Sequence, residues 1–108
     1  AWRGLARAAQ VLAEMRTAAG GDAAELWREG IQAAEKARAS NPRHAKNLEV
    51  LGACRQGLGT DLSRRGAAGT AEELRKAIEA YEAAIRLDPQ LETRLRPQIQ
   101  RCRRHTGR

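Results

Sequence analysis

A chain of 108 residues carrying a net charge of +7 has the size of one domain with a modest core. Aromatics make up 3% of it and Phe is absent, which excludes a core built on aromatic anchors; alanine dominates, so close approach of helices through small side chains is expected. No stretch of about 18 apolar residues occurs, which excludes a transmembrane helix, and two cysteines are too few for a disulfide framework.

The first residues show no charged segment followed by an apolar run, so no signal peptide is read. Without an initiator Met, the chain is expected to be a fragment of a longer intracellular protein. Cys54 and Cys102 read as small buried hydrophobes in a cytoplasmic, reducing setting, with a bridge or a redox role as the alternative.

The spacing predicts five helices. The first spans Ala1–Ala18, with Trp2, Leu5, Ala9 and Leu12 on its apolar face, and ends at Ala19-Gly20-Gly21. Asp22 and Glu25 form a capping-box pattern ahead of the second, which carries Trp27, Ile31, Ala34 and Ala37 and stops near Ser40. Asn41-Pro42 makes the corner, because Pro disfavours helix in the residue before it. The third runs from Arg43 to about Arg65 with Leu48, Leu51, Gly52 and Leu58; Gly57 and Gly59 mark where it can bend. Gly66–Gly69 is a turn, and Thr70 with Glu73 repeats the capping box. The fourth buries Leu74, Ala77, Ile78, Tyr81, Ala84 and Ile85, and Asp88-Pro89 ends it. The fifth carries the stripe Leu91, Leu95, Ile99, Cys102, with Pro97 on its solvent side as a kink and His105–Arg108 as a frayed tail.

These elements repeat. A shift of 47 residues superposes Trp27 on Leu74, Gly30 on Ala77, Ile31 on Ile78, Ala37 on Ala84 and Asn41-Pro42 on Asp88-Pro89. A shift of 46 superposes Trp2 on Leu48, Leu5 on Leu51 and Ala6 on Gly52. The chain thus divides into repeat one (1–42), repeat two (43–89) and a capping helix (90–105). Such repeats build binding surfaces more readily than catalytic pockets.

Ala77, Tyr81, Ala84 and Pro89 resemble the second helix of a tetratricopeptide repeat, and Leu48, Leu51, Gly52 and Trp2, Leu5, Ala6 its first. The resemblance covers about residues 1–104. The period departs from it, at about 47 residues rather than the family's roughly 34, and the extra length lies between the two signatures in both copies. The resemblance implies an all-α solenoid of two antiparallel helical hairpins plus a C-terminal helix, acting as a protein-binding scaffold whose first helices line a groove. Carried onto this chain, the groove comprises Arg3, Arg7 and Gln10, then Lys46, Glu49, Ala53 and Gln56, then Arg96, Gln100 and Arg103.

That groove is polar and mainly basic, which suits an acidic peptide or protein, since Arg holds carboxylates bidentately. Lys46 and Asn47 do not reproduce the family's carboxylate clamp. The region from 89 onward holds six arginines against Glu92 alone, five of the seven net positive charges. It reads as the soluble face of a capping helix, as an acidic-partner site, or as part of a basic nucleic-acid-binding domain, although stacking aromatics are absent there. A structural dimerisation module using exposed repeat ends is a further alternative. No catalytic constellation, cofactor motif or metal-ligand spacing is read: His44 and His105 stand alone, and the Gly pairs follow helices rather than strands. Glu72/Lys76 and Glu82/Arg86 are expected to be i,i+4 ion pairs.

Overall fold

The computed structural model describes residues 1–106 and is all-α, with five helices and no strand among the described residues. They are α1 (Trp2–Ala18), α2 (Ala24–Ser40), α3 (Ala45–Arg64), α4 (Thr70–Leu87) and α5 (Glu92–Thr106), the last entered through a 3-10 turn, Pro89–Leu91. Gly107 and Arg108, part of the expected frayed tail, lie outside the described residues; helix continues through His105 to Thr106.

Side-chain pairings fix the helix directions. Arg3 reaches His44, Glu49 reaches Arg94 and Gln56 reaches Gln98, so α1, α3 and α5 run the same way. Gly30 meets Cys54 and Gly57 meets Trp27, while Gly52 meets Tyr81 and Gly59 meets Leu74, so α2 and α4 run against α3.

Glycine and alanine set the spacing of these contacts. A Cβ on Gly57 would come within 2.5 Å of the Trp27 ring, one on Gly52 within 2.7 Å of the Tyr81 ring, and one on Gly59 within 2.8 Å of Leu74. Gly30 meets the Cys54 sulfur and the Ala6 and Ala9 backbone and methyl atoms, so α1, α2 and α3 converge on it. Gly57 and Gly59 therefore serve packing, and α3 continues through them as one helix. Each interior Gly costs about 1 kcal/mol of helix propensity, a cost that burial of Trp27, Tyr81 and Leu74 offsets at roughly 2–3 kcal/mol per side chain. Ala77, Tyr81 and Ala84 are all buried, and the Leu91, Leu95, Ile99, Cys102 stripe packs α5 down with Pro97 exposed.

The expected apolar face of α1 is corrected. Ala6, Ala9, Gln10 and Ala13 face the interior, whereas Trp2, Leu5 and Leu12 are exposed. The surface around Gly30 admits only small side chains, so methyl groups go inward and bulky ones do not. The Thr70/Glu73 capping box does not form: Gly69 occupies the cap position with φ of 103°, and Glu73 accepts from Arg55 instead. The Asp22/Glu25 capping box does not form either: Ala23 holds the cap position of α2, and Asp22 accepts from the Ala24 amide at 2.9 Å, which holds its carboxyl below the ordinary range. Glu72 pairs with Lys76 as expected, but Glu82 pairs with Arg103 rather than Arg86.

Polar ties complete the frame. Half-buried Arg55 reaches Glu35 of α2 at 3.1 Å and Glu73 of α4 at 3.0 Å, clamping both to α3. Buried Asn47 donates to the carbonyls of Ala37 and Asn41, which satisfies the end of α2 and fixes the Asn41-Pro42 corner.

Gly57→Ala is expected to destabilise by about 1–3 kcal/mol, although alanine is the better helix former, because the Trp27 ring must move. Tyr81→Ala is expected to cost about 3–5 kcal/mol. Urea unfolding followed by far-UV circular dichroism measures both; a Gly57→Ala protein more stable than the parent contradicts the packing described.

Candidate binding groove

The exposed surface of α3 between α1 and α5 is a groove with a volume of about 930 Å³. Its walls are Arg3, Arg7, Gln10, Glu14 and Thr17 of α1, and Arg94, Leu95 and Gln98 of α5. Its floor follows α3 at helical spacing through Lys46, Glu49, Ala53, Gln56, Thr60 and Asp61, with Trp27 and Tyr81 reaching it from α2 and α4. Arg3 to Thr17 is four turns of helix, about 21 Å, or roughly six residues of extended peptide.

Seven of the ten residues expected at the groove from the sequence meet there: Arg3, Arg7, Gln10, Lys46, Glu49, Ala53 and Gln56. Arg96, Gln100 and Arg103 do not line it. The apolar stripe of α5 fixes its rotation. Arg94 and Gln98 flank that stripe on the α3 side, while Arg96 pairs with Glu92 and Arg103 crosses to Glu82 of α4. Arg94, Gln98, Glu14, Thr17 and Asp61 were not among the residues expected. Choosing the positions beside the Leu91–Cys102 stripe that face α3 would have found the two from α5.

Hydrogen bonds position the floor. The Tyr81 hydroxyl donates to Gln56 Oε1 at 2.7 Å, and Gln56 Nε2 donates to Gln98 Oε1 at 3.1 Å, joining α4, α3 and α5. Arg94 holds Glu49 with two bonds of 3.0 and 2.8 Å, so both charges are spent on each other. Asp61, buried, is held by Arg64 at 3.4 Å and Arg65 at 3.3 Å, and Arg65 also ties it to Asp22.

The remaining charges divide along the groove. At the end where α1 and α3 begin, Arg3, Arg7 and Lys46 have no carboxylate partner among the described residues. Arg3 donates to the His44 ring at 2.8 Å and Arg7 to Gln10 at 3.2 Å. The start of α3 there lacks a side-chain cap and an acidic residue in its first turn, which adds its positive dipole end. Toward the other end lie Glu14, which accepts from Gln10, and Asp61, whose buried carboxylate is paired with Arg64 and Arg65. The unpaired positive charge of the groove is thus gathered at one end.

No activated nucleophile accompanies it. Desolvation pushes the Cys54 thiol up to about 12, aided by Glu14, and the Cys102 thiol up to about 11; burial raises the Tyr81 phenol as well. Both cysteines are free and buried. Among the described residues no group of His, Cys, Asp and Glu gathers at metal-binding distance, and no helix is long and apolar enough to cross a membrane. No family model matches the chain, and neither a curated protein nor a solved structure matches it.

The thiols generate a pH prediction. Unfolded thiols ionise near 8.5, well below the folded values, so the unfolded state loses protons first as pH rises. Stability is therefore expected to be undiminished below about pH 8 and to fall from there toward 11–12. Ellman's reagent at pH 8 is expected to label neither cysteine until denaturant is added; rapid labelling of the folded chain contradicts their burial.

Proposed function

We propose that the chain is a tetratricopeptide-like helical-repeat module whose groove binds an acidic peptide segment of a protein partner in extended form. The observation that carries this reading is the set Arg3, Arg7 and Lys46, three cations without a carboxylate partner among the described residues, beside the uncapped start of α3. Anionic side chains or a C-terminal carboxylate suit that end, since such pairs are charge-assisted and the helix dipole adds to them. The near-47-residue repeat and the Ala77, Tyr81, Ala84, Pro89 pattern support the family reading. The two free thiols suit a reducing compartment such as the cytoplasm.

Nucleic acid is the weaker reading on electrostatic grounds. The C-terminal arginines are partly neutralised, Arg94 by Glu49, Arg96 by Glu92 and Arg103 by Glu82. Neither groove-facing ring is free to stack on bases, because Trp27 and Tyr81 are 5% and 3% exposed.

Fluorescence anisotropy with labelled Asp/Glu-rich hexapeptides and mixed-sequence oligonucleotides separates these readings. The parent is expected to prefer the peptides at physiological salt. Arg3→Glu with Arg7→Glu is expected to weaken peptide binding at least roughly tenfold while leaving the helical signal intact. Arg96→Glu with Arg103→Glu is expected to change it by less than about twofold, beyond the effect of net charge. Unchanged peptide binding by the Arg3/Arg7 variant, or tighter binding of oligonucleotides with a steep salt dependence, overturns the proposal.

A further inference from the structure

The charges of the groove are distributed along it in a definite order. Arg3, Arg7 and Lys46, at the end where α1 and α3 begin, have no carboxylate partner among the described residues. Next comes Glu49, which Arg94 holds with two bonds of 3.0 and 2.8 Å. Asp61, farther on, is paired with Arg64 and Arg65. Glu14 accepts only from the Gln10 amide and has no cation partner among the described residues. It stands about 10 Å beyond Arg7 along α1, the length of roughly three residues of extended chain. Uncompensated charge is thus strongly positive at one end and negative part-way along.

The three cations converge. Arg3 leaves α1 and lays its guanidinium against the His44 ring, 2.8 Å from Nε2 and 3.3 Å from Nδ1, at the residue that precedes α3. Lys46 follows in the first turn of α3, and Arg7 stands one turn after Arg3 on the same wall, about 6 Å along the axis. Each arginine gives one nitrogen to its neighbour and keeps the rest of its donors free, since a guanidinium carries about five N–H groups. Such a cluster suits one compact anion of high charge. A carboxylate has a single charge on two oxygens, and one arginine fork satisfies it. A phosphoryl group brings a charge of about −1.5 to −2 and three strong acceptor oxygens to one point, enough to engage wall and floor together.

We infer that the groove selects a phosphorylated peptide, with a phosphoserine or phosphothreonine seated among Arg3, Arg7 and Lys46 and neutral residues running on toward Glu14. The inference rests on the groove reading above and narrows its ligand from an acidic segment to one whose binding is switched on by phosphorylation. Selection comes from the repelling charges as well as the attracting ones. A run of Asp and Glu would bring its later carboxylates beside Glu14, and past Glu49, which already occupies Arg94. Farther along, Arg64 is engaged by Asp61, so no free cation receives them. A single phosphorylated residue at one end of a neutral segment takes the attraction and avoids the repulsion.

Anisotropy of labelled hexapeptides with blocked termini, titrated with the full chain at physiological salt, tests this. One neutral sequence is prepared with phosphoserine, Ser or Asp at either end, and an Asp/Glu-rich hexapeptide is the fourth probe. In its better orientation the phosphoserine peptide is expected to bind at least about tenfold more tightly than the Ser and Asp peptides, and at least about threefold more tightly than the Asp/Glu-rich one. Glu14→Gln is expected to tighten the Asp/Glu-rich peptide about threefold and to leave the phosphopeptide nearly unchanged. Arg7→Ala with Lys46→Ala removes two exposed side chains and is expected to abolish the preference for phosphate with the helical signal intact. On the parent chain, inorganic phosphate on the order of a few millimolar, at constant ionic strength, is expected to displace the phosphopeptide.

The outcomes separate this inference from the reading beneath it. An Asp/Glu-rich peptide that binds as tightly as the phosphopeptide, or an Asp peptide that matches it, overturns the inference and leaves the groove reading standing. A preference for phosphate that survives in the Arg7→Ala, Lys46→Ala protein, or a phosphopeptide that inorganic phosphate does not displace, also overturns it. If no peptide of any kind binds the parent, both fall together.

Discussion

The whole arrangement depends on how closely α3 is approached. Its glycines at 52, 57 and 59 and the facing Gly30 of α2 let a Tyr ring, a Trp ring, a Leu side chain and a Cys sulfur lie directly on backbone. A chain with 3% aromatic residues has few large side chains with which to exclude water. It buries Trp27 and Tyr81 by removing the Cβ beneath them, while Trp2 stays 40% exposed. Dispersion contacts fall off steeply with separation, so a shift of one ångström at these sockets would forfeit much of the gain. The helix-propensity cost of the glycines is thus tied to the packing that rewards it, and α3 acts as the common floor of the molecule.

That central position also sorts the charges. On the α2/α4 side, Arg55 is spent on Glu35 and Glu73, which lock the flanking helices to α3. On the groove side, the carboxylates Glu49 and Asp61 are spent on Arg94, Arg64 and Arg65. What remains is Arg3, Arg7 and Lys46, where the parallel α1 and α3 both begin. The start of α3 adds its positive dipole end, and no acidic residue in its first turn offsets it. The polarity of the groove is therefore a consequence of helix direction as well as of composition.

The sequence displays the helices and their ends well, because Gly, Pro and apolar spacing act locally. Asn41-Pro42, Gly66–Gly69 and Asp88-Pro89 all fall where helices stop. Rotation about a helix axis is harder to read, because it depends on what lies opposite. On α1, hydropathy favours Trp2, Leu5 and Leu12 as the inward face, yet Gly30 leaves room only for Ala6, Ala9 and Ala13. On α5, the inward stripe is plain, but which flank meets α3 depends on handedness of packing, so Arg94 and Gln98 line the groove in place of Arg96 and Gln100. The glycines of α3 read in isolation as a weak point; only the rings seated on them reveal their purpose. Asp61 carried no local signal, since its partners Arg64 and Arg65 look like any exposed basic pair.

Alpha-helix α1 then combines three surfaces that no single periodicity describes. One third of its circumference is small and faces α2 and α3, one third is charged and faces the groove, and the rest is apolar and bulky. A helix with only a solvated outer face would keep charge there, as α5 does with Arg96, Arg101 and Arg104. On α1 exposed leucines and a methionine stand there instead, and they do not stabilise the fold, because alanine already fills the inward face against Gly30.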